Sequence, residues 1–141
     1  MANAQNVIHD QTRHVNPVKA GTPMLKTVTI DSTAEDARNV GEENILSPGL
    51  ALGIITAEDT YTGYDPNGAD GTEVARYVLY DEVDTKSGDA AATAADVPAT
   101  VIWLGNLDSS KVFDEDGTAI GVSGKADLAK GGSGDAIIDW D

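Results

Sequence analysis

The longest strongly apolar stretch in the sequence is Leu50–Ile55, and Gly53 interrupts it. A membrane-spanning helix needs ~20 consecutive apolar residues, so this run is far too short to be one. No segment carries a long apolar stripe at helical spacing either. What remains is a chain of short apolar runs divided by turn signals. Val, Ile, Leu and Phe together number 30 of the 141 residues. That is just above the level at which a highly charged chain stays disordered. Ala supplies 19 more apolar residues that each bury little area. Burial worth roughly 25 cal/mol per Å² must offset about 1–2 kcal/mol of backbone entropy per ordered residue. So thin a core favours a chain of which only part packs, in subunits that share their cores.

Charge narrows the function. Nine Lys and Arg face 24 Asp and Glu, a formal net charge of −15. A basic patch displacing counterions from phosphate is excluded by that balance. Anchoring to an anionic membrane is disfavoured for the same reason. With no Cys there is no disulfide, no thiol nucleophile and no Cys-ligated metal. The charge is also uneven. Residues 1–30 hold Arg13, Lys19 and Lys26 against Asp10, a net +2, and both histidines, His9 and His14. Residues 31–141 hold 6 basic and 23 acidic residues. The first segment is polar and punctuated by Pro17, Gly21 and Pro23. Residues 1–22 therefore read as a flexible, extended arm without a core, and residues 23–141 as a β-rich domain. An arm of opposite charge to its body suggests a partner of its own. The first 30 residues contain no apolar run long enough for a signal-peptide core, so the protein is expected to stay soluble where it is made.

Strand patterning begins at Lys26–Ile30, with Val28 and Ile30 on one side. Residues 31–44 read as an acidic loop with room for a helical turn around Ala34–Arg38. Ser47-Pro48-Gly49 is a turn feeding a strand over Leu50–Thr56, where Ala51 and Gly53 leave space for a close neighbour. Tyr61–Thr72 reads as a loop, with Asp65-Pro66-Asn67-Gly68 and Asp70-Gly71 as turn signals. Glu73–Tyr80 alternates and is the strongest strand candidate. An acidic connection, Asp81–Asp84, and an Ala-rich loop, Lys86–Pro98, follow. Ala99–Leu104 is apolar on both faces, so a doubly buried strand is expected. Asp108 can cap a brief helical turn before Val112. Thr118–Val122 reads as a short strand, Lys125–Lys130 as one helical turn, and Ala136–Trp140 as a final strand. Six or seven short strands with short helical turns make an all-β barrel or sandwich.

Candidate sites are few. Counted from Asp65, the turn-rich loop fails the EF-hand pattern at Ala69, Asp70 and Arg76, where an oxygen ligand, Gly and a bidentate acid belong. The two histidines, five residues apart, share neither a helix nor a strand face, and no third ligand is near. No nucleophile elbow, phosphate-binding loop or zinc-protease motif occurs. The expectation is a protein without cofactor, metal site or catalytic activity. Arg76, set in an apolar strand of an acidic chain, is expected to pair with a carboxylate, in its sharper form across subunits. Trp140 is expected to pack on the domain or on a neighbouring subunit.

The blocks Leu46–Thr56, Asp70–Asp84 and Pro98–Leu107 together resemble the lambda-type bacteriophage head decoration proteins. The first resembles that family's leading core strand with its P-G-x-x-L-G segment, the third a strand ending in Gly before a short helix. The resemblance covers residues 46 to about 113; residues 114–141 have no counterpart. It implies a β-tulip domain that trimerises on the exterior of an expanded head. It also implies a flexible N-terminal arm that adds a strand to a sheet of the major capsid protein. In this chain Val7, Ile8, His9, Arg13, His14 and Val15 would be the arm's contact residues, and Arg76 and Trp140 the trimer-interface candidates. The alternatives are a tail, fibre or cell-surface module that binds a host ligand, and a small acidic enzyme.

Overall fold

The computed structural model describes residues 16–140. Eight strands occur: β1 Val18–Ile30, β2 Ile45–Leu46, β3 Ala51–Ile55, β4 Thr60–Gly63, β5 Tyr77–Leu79, β6 Val83–Asp84, β7 Val97–Leu107 and β8 Ile137–Trp140. One α-helix, α1, spans Val122–Leu128. The strands give the small all-β domain that the sequence pattern implied.

Two long strands organise the rest. β1 and β7 pair antiparallel along their lengths, from Ile30↔Val97 to Val18↔Leu107. From β7 the sheet continues antiparallel through β5, β3 and β4. β4 returns to β1 in parallel at Ile30↔Tyr61, so the pairing closes on itself. β8 lies outside that ring, parallel to the far half of β7. Ile30, Leu52, Val78, Leu79, Val101 and Ile102 are fully buried within the ring, and Leu107, Val112 and Leu128 extend the core. Each such side chain contributes about 1.5–3 kcal/mol relative to exposure.

Local patterns explain much of this. Along β1, Val28 and Ile30 are buried while Thr27 and Thr29 are exposed. The expected close approach at Gly53 is present: a Cβ there would lie 2.8 Å from both Cα and O of Thr72. Gly49 has φ +91°, and a Cβ on it would lie 2.3 Å from the Lys111 carbonyl oxygen. Asp108 caps the 3-10 turn Ser109–Lys111 by accepting from the Ser110 N–H.

Other expectations are corrected. Residues 18–22, read as part of the arm, belong to β1, because β7 runs on past Leu104 and offers Val18 and Ala20 backbone partners. Glu73–Tyr80 is strand only at Tyr77–Leu79. Its first half is held otherwise: Val74 N–H donates to Gly71 O, and Ala75 N–H to the Asp127 carboxylate. Tyr61–Gly63, expected as the start of a loop, belongs to β4, since β3 turns back directly onto it. Asp81–Asp84 is not merely a connection, for its end pairs with Ile45–Leu46. Thr118–Val122 forms only an isolated bridge, Phe113↔Ala119, and Val122 opens α1. Trp103 and Leu104 are half-buried, so only the Val101–Ile102 portion of β7 is covered on both faces.

Residues 34–38 form no helical turn. Asp36, fully buried, folds this loop around its carboxylate. It accepts from Nε and Nη2 of Arg38 at 2.9 and 2.7 Å, from the Arg38 N–H, and from the Ser47 N–H at 2.9 Å. The guanidinium also donates to the carbonyls of Ser47 and Pro48 and stacks 4.8 Å from the Phe113 ring centroid. Removing one member of a buried pair leaves the other charged and unsatisfied. Arg38→Ala is therefore expected to cost about 3–5 kcal/mol in urea unfolding, more than removal of an exposed arginine would.

Glu115 is pushed up to about 7, first by burial and then by the negative charges of Asp65 and Asp116. Its folded-state value lies above the ordinary 4.5, so its protonation favours the fold. That contribution is complete below about 4.5 and disappears as pH rises through about 7. Glu115→Gln is expected to match the native chain in thermal melts at pH 4 and to exceed it at pH 8.

Candidate functional site

The described residues begin at Asn16, at the far end of the β1–β7 ribbon. Pro17 is buried there, and its carbonyl accepts from the Asp108 N–H at 3.0 Å. The Asn16 side chain accepts from the Val18 N–H at 2.8 Å. Leu107 pairs with Val18 on one side and with Trp140 on the other. The start of β1 and the end of β8 are thus brought to one place. Trp140 is half-buried against the core, and its indole N–H donates to the Lys125 carbonyl at 3.1 Å. Trp140, expected to pack on the domain or on a neighbouring subunit, packs on its own domain.

Cross-strand partners point to the same side of a sheet. Met24↔Leu104↔Ile137 therefore form one row across β1, β7 and β8, and Ala20↔Asn106↔Asp139 a second. The first row is unusually apolar for a surface: Met24 is 50% and Ile137 39% exposed. Asn106 ties the second row together by donating to the Asp139 carbonyl and carboxylate. Beside these rows lies a polar cluster. Tyr77 donates its hydroxyl to Asp135 at 2.7 Å and accepts from the Lys26 ammonium at 2.9 Å. Lys26 reaches Asp135 at 3.7 Å, and the Tyr61 and Tyr77 rings are 5.6 Å apart. Burial, then the Asp135 hydrogen bond and charge, pushes the Tyr77 phenol up to about 12. The same hydrogen bond from Tyr77 is the main reason that the Asp135 carboxyl sits below its usual range.

Arg76 precedes Tyr77 and lies against the glycine-rich segment before β8. Its Cδ and Nη1 are 3.3 and 3.4 Å from where a Gly134 Cβ would stand. Nη1 donates to the Ser133 carbonyl at 3.4 Å, a long contact. The Nε is buried without a hydrogen-bond acceptor. The expected carboxylate partner is missing among the described residues: the ion pairs there are Lys26–Asp135, Arg38–Asp36 and Lys111–Asp108. Asp127, the nearby acid, is engaged by the Ala75 N–H and the Ser133 hydroxyl instead. The arm candidates Val7, Ile8, His9, Arg13, His14 and Val15 lie outside the described residues. Arg76 and Tyr77 both reach the segment that precedes β8, at Ser133 and Asp135. Sequence reasoning assigned Tyr77 only to a strand face, because Asp135 and Lys26 are remote in the chain.

The described residues form a small, closed all-β domain, and among them no cluster of side chains could hold a metal ion. The family model of the bacteriophage lambda head decoration protein D matches residues 13–102. The chain belongs to that family, and its place is the capsid of a phage virion. The match reaches further towards the N-terminus than the blocks quoted above, taking in β1, and it ends inside β7. No curated protein and no solved structure matches the chain significantly.

The Tyr77 hydroxyl joins β1, β5 and the segment before β8. Tyr77→Phe removes one hydrogen bond to an anion and one from a cation. A loss of about 1–2 kcal/mol is expected in denaturant titrations at pH 7. The double variant with Asp135→Asn should lose less than the sum of the single losses, since the two groups share one bond.

Proposed function

We propose that this decoration protein is a cement. It binds the outer surface of the expanded head as a homotrimer and holds the shell against the outward pressure of packaged DNA. Bound across neighbouring capsid subunits, it gains free energy only when the lattice is expanded, so occupancy shifts the lattice towards that state. The arm ahead of Pro17 supplies the grip by adding a strand to a sheet of the major capsid protein. Backbone hydrogen bonds would carry the affinity, with Val7, Ile8 and Val15 as apolar anchors and His9, Arg13 and His14 as polar contacts. Three arms per trimer add through avidity.

The observation that supports this most directly is the open edge at the arm's root. On the side away from β7, β1 is paired with β4 only at Ile30, so its edge over residues 18–29 has no neighbouring strand among those described. A strand laid along an extended arm would meet a ready template there. The body suits an exterior position, because the whole chain's formal charge of −15 repels DNA and keeps particles dispersed. In this reading the protein is made in the host cytoplasm, contacts neither nucleic acid nor membrane, needs no cofactor and catalyses nothing.

Deleting residues 1–15 tests the grip. The cut stays clear of β1, so the truncated protein should melt as the full chain does. It should bind expanded heads at least about a hundredfold more weakly in co-sedimentation, as expected when a multivalent contact is lost. Saturation of heads by the truncated protein at the full chain's concentration would refute the arm's role.

A further inference from the structure

We infer that Asn67 is a site of spontaneous deamidation in the folded chain, converted to aspartate and isoaspartate through a cyclic imide closed by the backbone nitrogen of Gly68. The inference concerns the loop between β4 and β5 and does not depend on the capsid reading.

Two observations select this residue. The first is its successor: Asn67-Gly68 is the one Asn-Gly pair in the sequence. Ring closure turns the nitrogen of the next residue onto the asparagine side chain. Glycine, without a Cβ, leaves the backbone freest to make that turn. The second is that the side-chain amide is free to react. Among the described residues, the side chain of Asn16 accepts from the Val18 N–H, that of Asn39 donates to the Ile45 carbonyl, that of Asn44 to the Asp84 carboxylate and that of Asn106 to Asp139. Asn67 is exposed, and the bond that holds it runs from its backbone N–H.

The step balances with water as the only co-reactant. Hydroxide takes the proton of the Gly68 amide, and the nitrogen bonds to Cγ of Asn67. The Cγ–Nδ2 bond breaks, and ammonia leaves with a proton returned by water. A second water then opens the imide. Cleavage between the Gly68 nitrogen and Cγ gives aspartate; cleavage between that nitrogen and the main-chain carbonyl carbon gives isoaspartate. The local structure sets the pace. Gly68 N–H donates to the Asp65 carbonyl at 2.9 Å, and Asn67 N–H to the Asp65 carboxylate at 2.9 Å. The first bond must open before the nitrogen can lose its proton, and the Asp65 charge disfavours the anion that forms. Asp65 is thus a brake. Its release is local: Pro66, Asn67 and Ala69 are exposed, while the ends of the loop stay tied by Asp65 N–H to the Thr72 carbonyl and Thr56 N–H to the Asp70 carbonyl. Exposed turns of this kind open without global unfolding.

Peptide mapping by mass spectrometry tests the proposal on the full chain, incubated at physiological temperature and pH 8 and sampled over weeks, with a parallel sample unfolded in urea. Chromatography separates the aspartate and isoaspartate products. In the folded chain Asn67 should convert before Asn16, Asn39, Asn44 and Asn106, and faster as pH is raised. In urea it should convert faster still, because the Asp65 bonds are gone. Gly68→Ala should slow conversion several-fold in the folded chain, with circular dichroism confirming that the variant folds. An Asn67 that stays intact in the folded chain after complete conversion in urea overturns the proposal. So does earlier conversion at any of the four other asparagines named, or an undiminished rate in folded Gly68→Ala. Equal rates in the folded and unfolded chains would overturn the role given to Asp65. Should Gly68→Ala fail to fold, the order of conversion among the asparagines of the native chain decides.

Discussion

The backbone pairing of β1 with β7 is the contact on which the rest of the domain depends. It joins residues 18–30 to residues 97–107, segments that lie at opposite sides of everything between them in the chain. Without it the order β4-β3-β5 would be a short sheet with two open edges and one covered face. With it, the ring closes and the fully buried residues Ile30, Val101 and Ile102 acquire neighbours on both sides. The same pairing runs beyond the ring and creates the ribbon on which β8 is laid. One interaction therefore both completes the core and builds the ribbon at whose end Pro17 and Trp140 meet.

The acidity of the chain has a second meaning that net charge conceals. Many aspartates are not simply solvated: Asp31, Asp36, Asp65, Asp70, Asp84, Asp89, Asp108 and Asp114 each accept the backbone N–H two residues further on. In a chain with few long elements, these side-chain bonds do the work that helix and sheet ladders do elsewhere. The carboxyls of Asp31 and Asp70 sit below their usual range chiefly because Thr33 and Thr72 donate to them. Asp36 goes further and gathers a loop about a buried charge. A thin core is thus supplemented by polar scaffolding, and the remaining carboxylates still provide a surface that disperses particles.

Much of the fold could be read in advance where the cause is local. Val28 and Ile30 alternate with threonines, Gly53 has no room for a side chain, and Asp108 caps the turn after it. Errors fell where a distant group decides. Ala75 donates to Asp127, more than fifty residues away, so the strand expected there begins only at Tyr77. Val18 and Ala20 look like arm by composition and become strand because β7 reaches them. The candidate site shows the same division. Arg76 stood out as a cation among apolar residues, but its neighbours Ser133 and Gly134 are remote in sequence, and so is the Asp135 that engages Tyr77.

By itself the sequence determined the class of fold and the uneven charge of residues 1–30 against residues 31–141, because periodicity, turn chemistry and charge act over a few residues, and its resemblance gave the family. Only the tertiary structure decided which edge of β1 stays open, that Arg76 finds no carboxylate among the described residues, and that Met24, Leu104 and Ile137 share a row. Those are matters of register between strands far apart in the chain. Register is set by the whole packed sheet, which no local pattern contains.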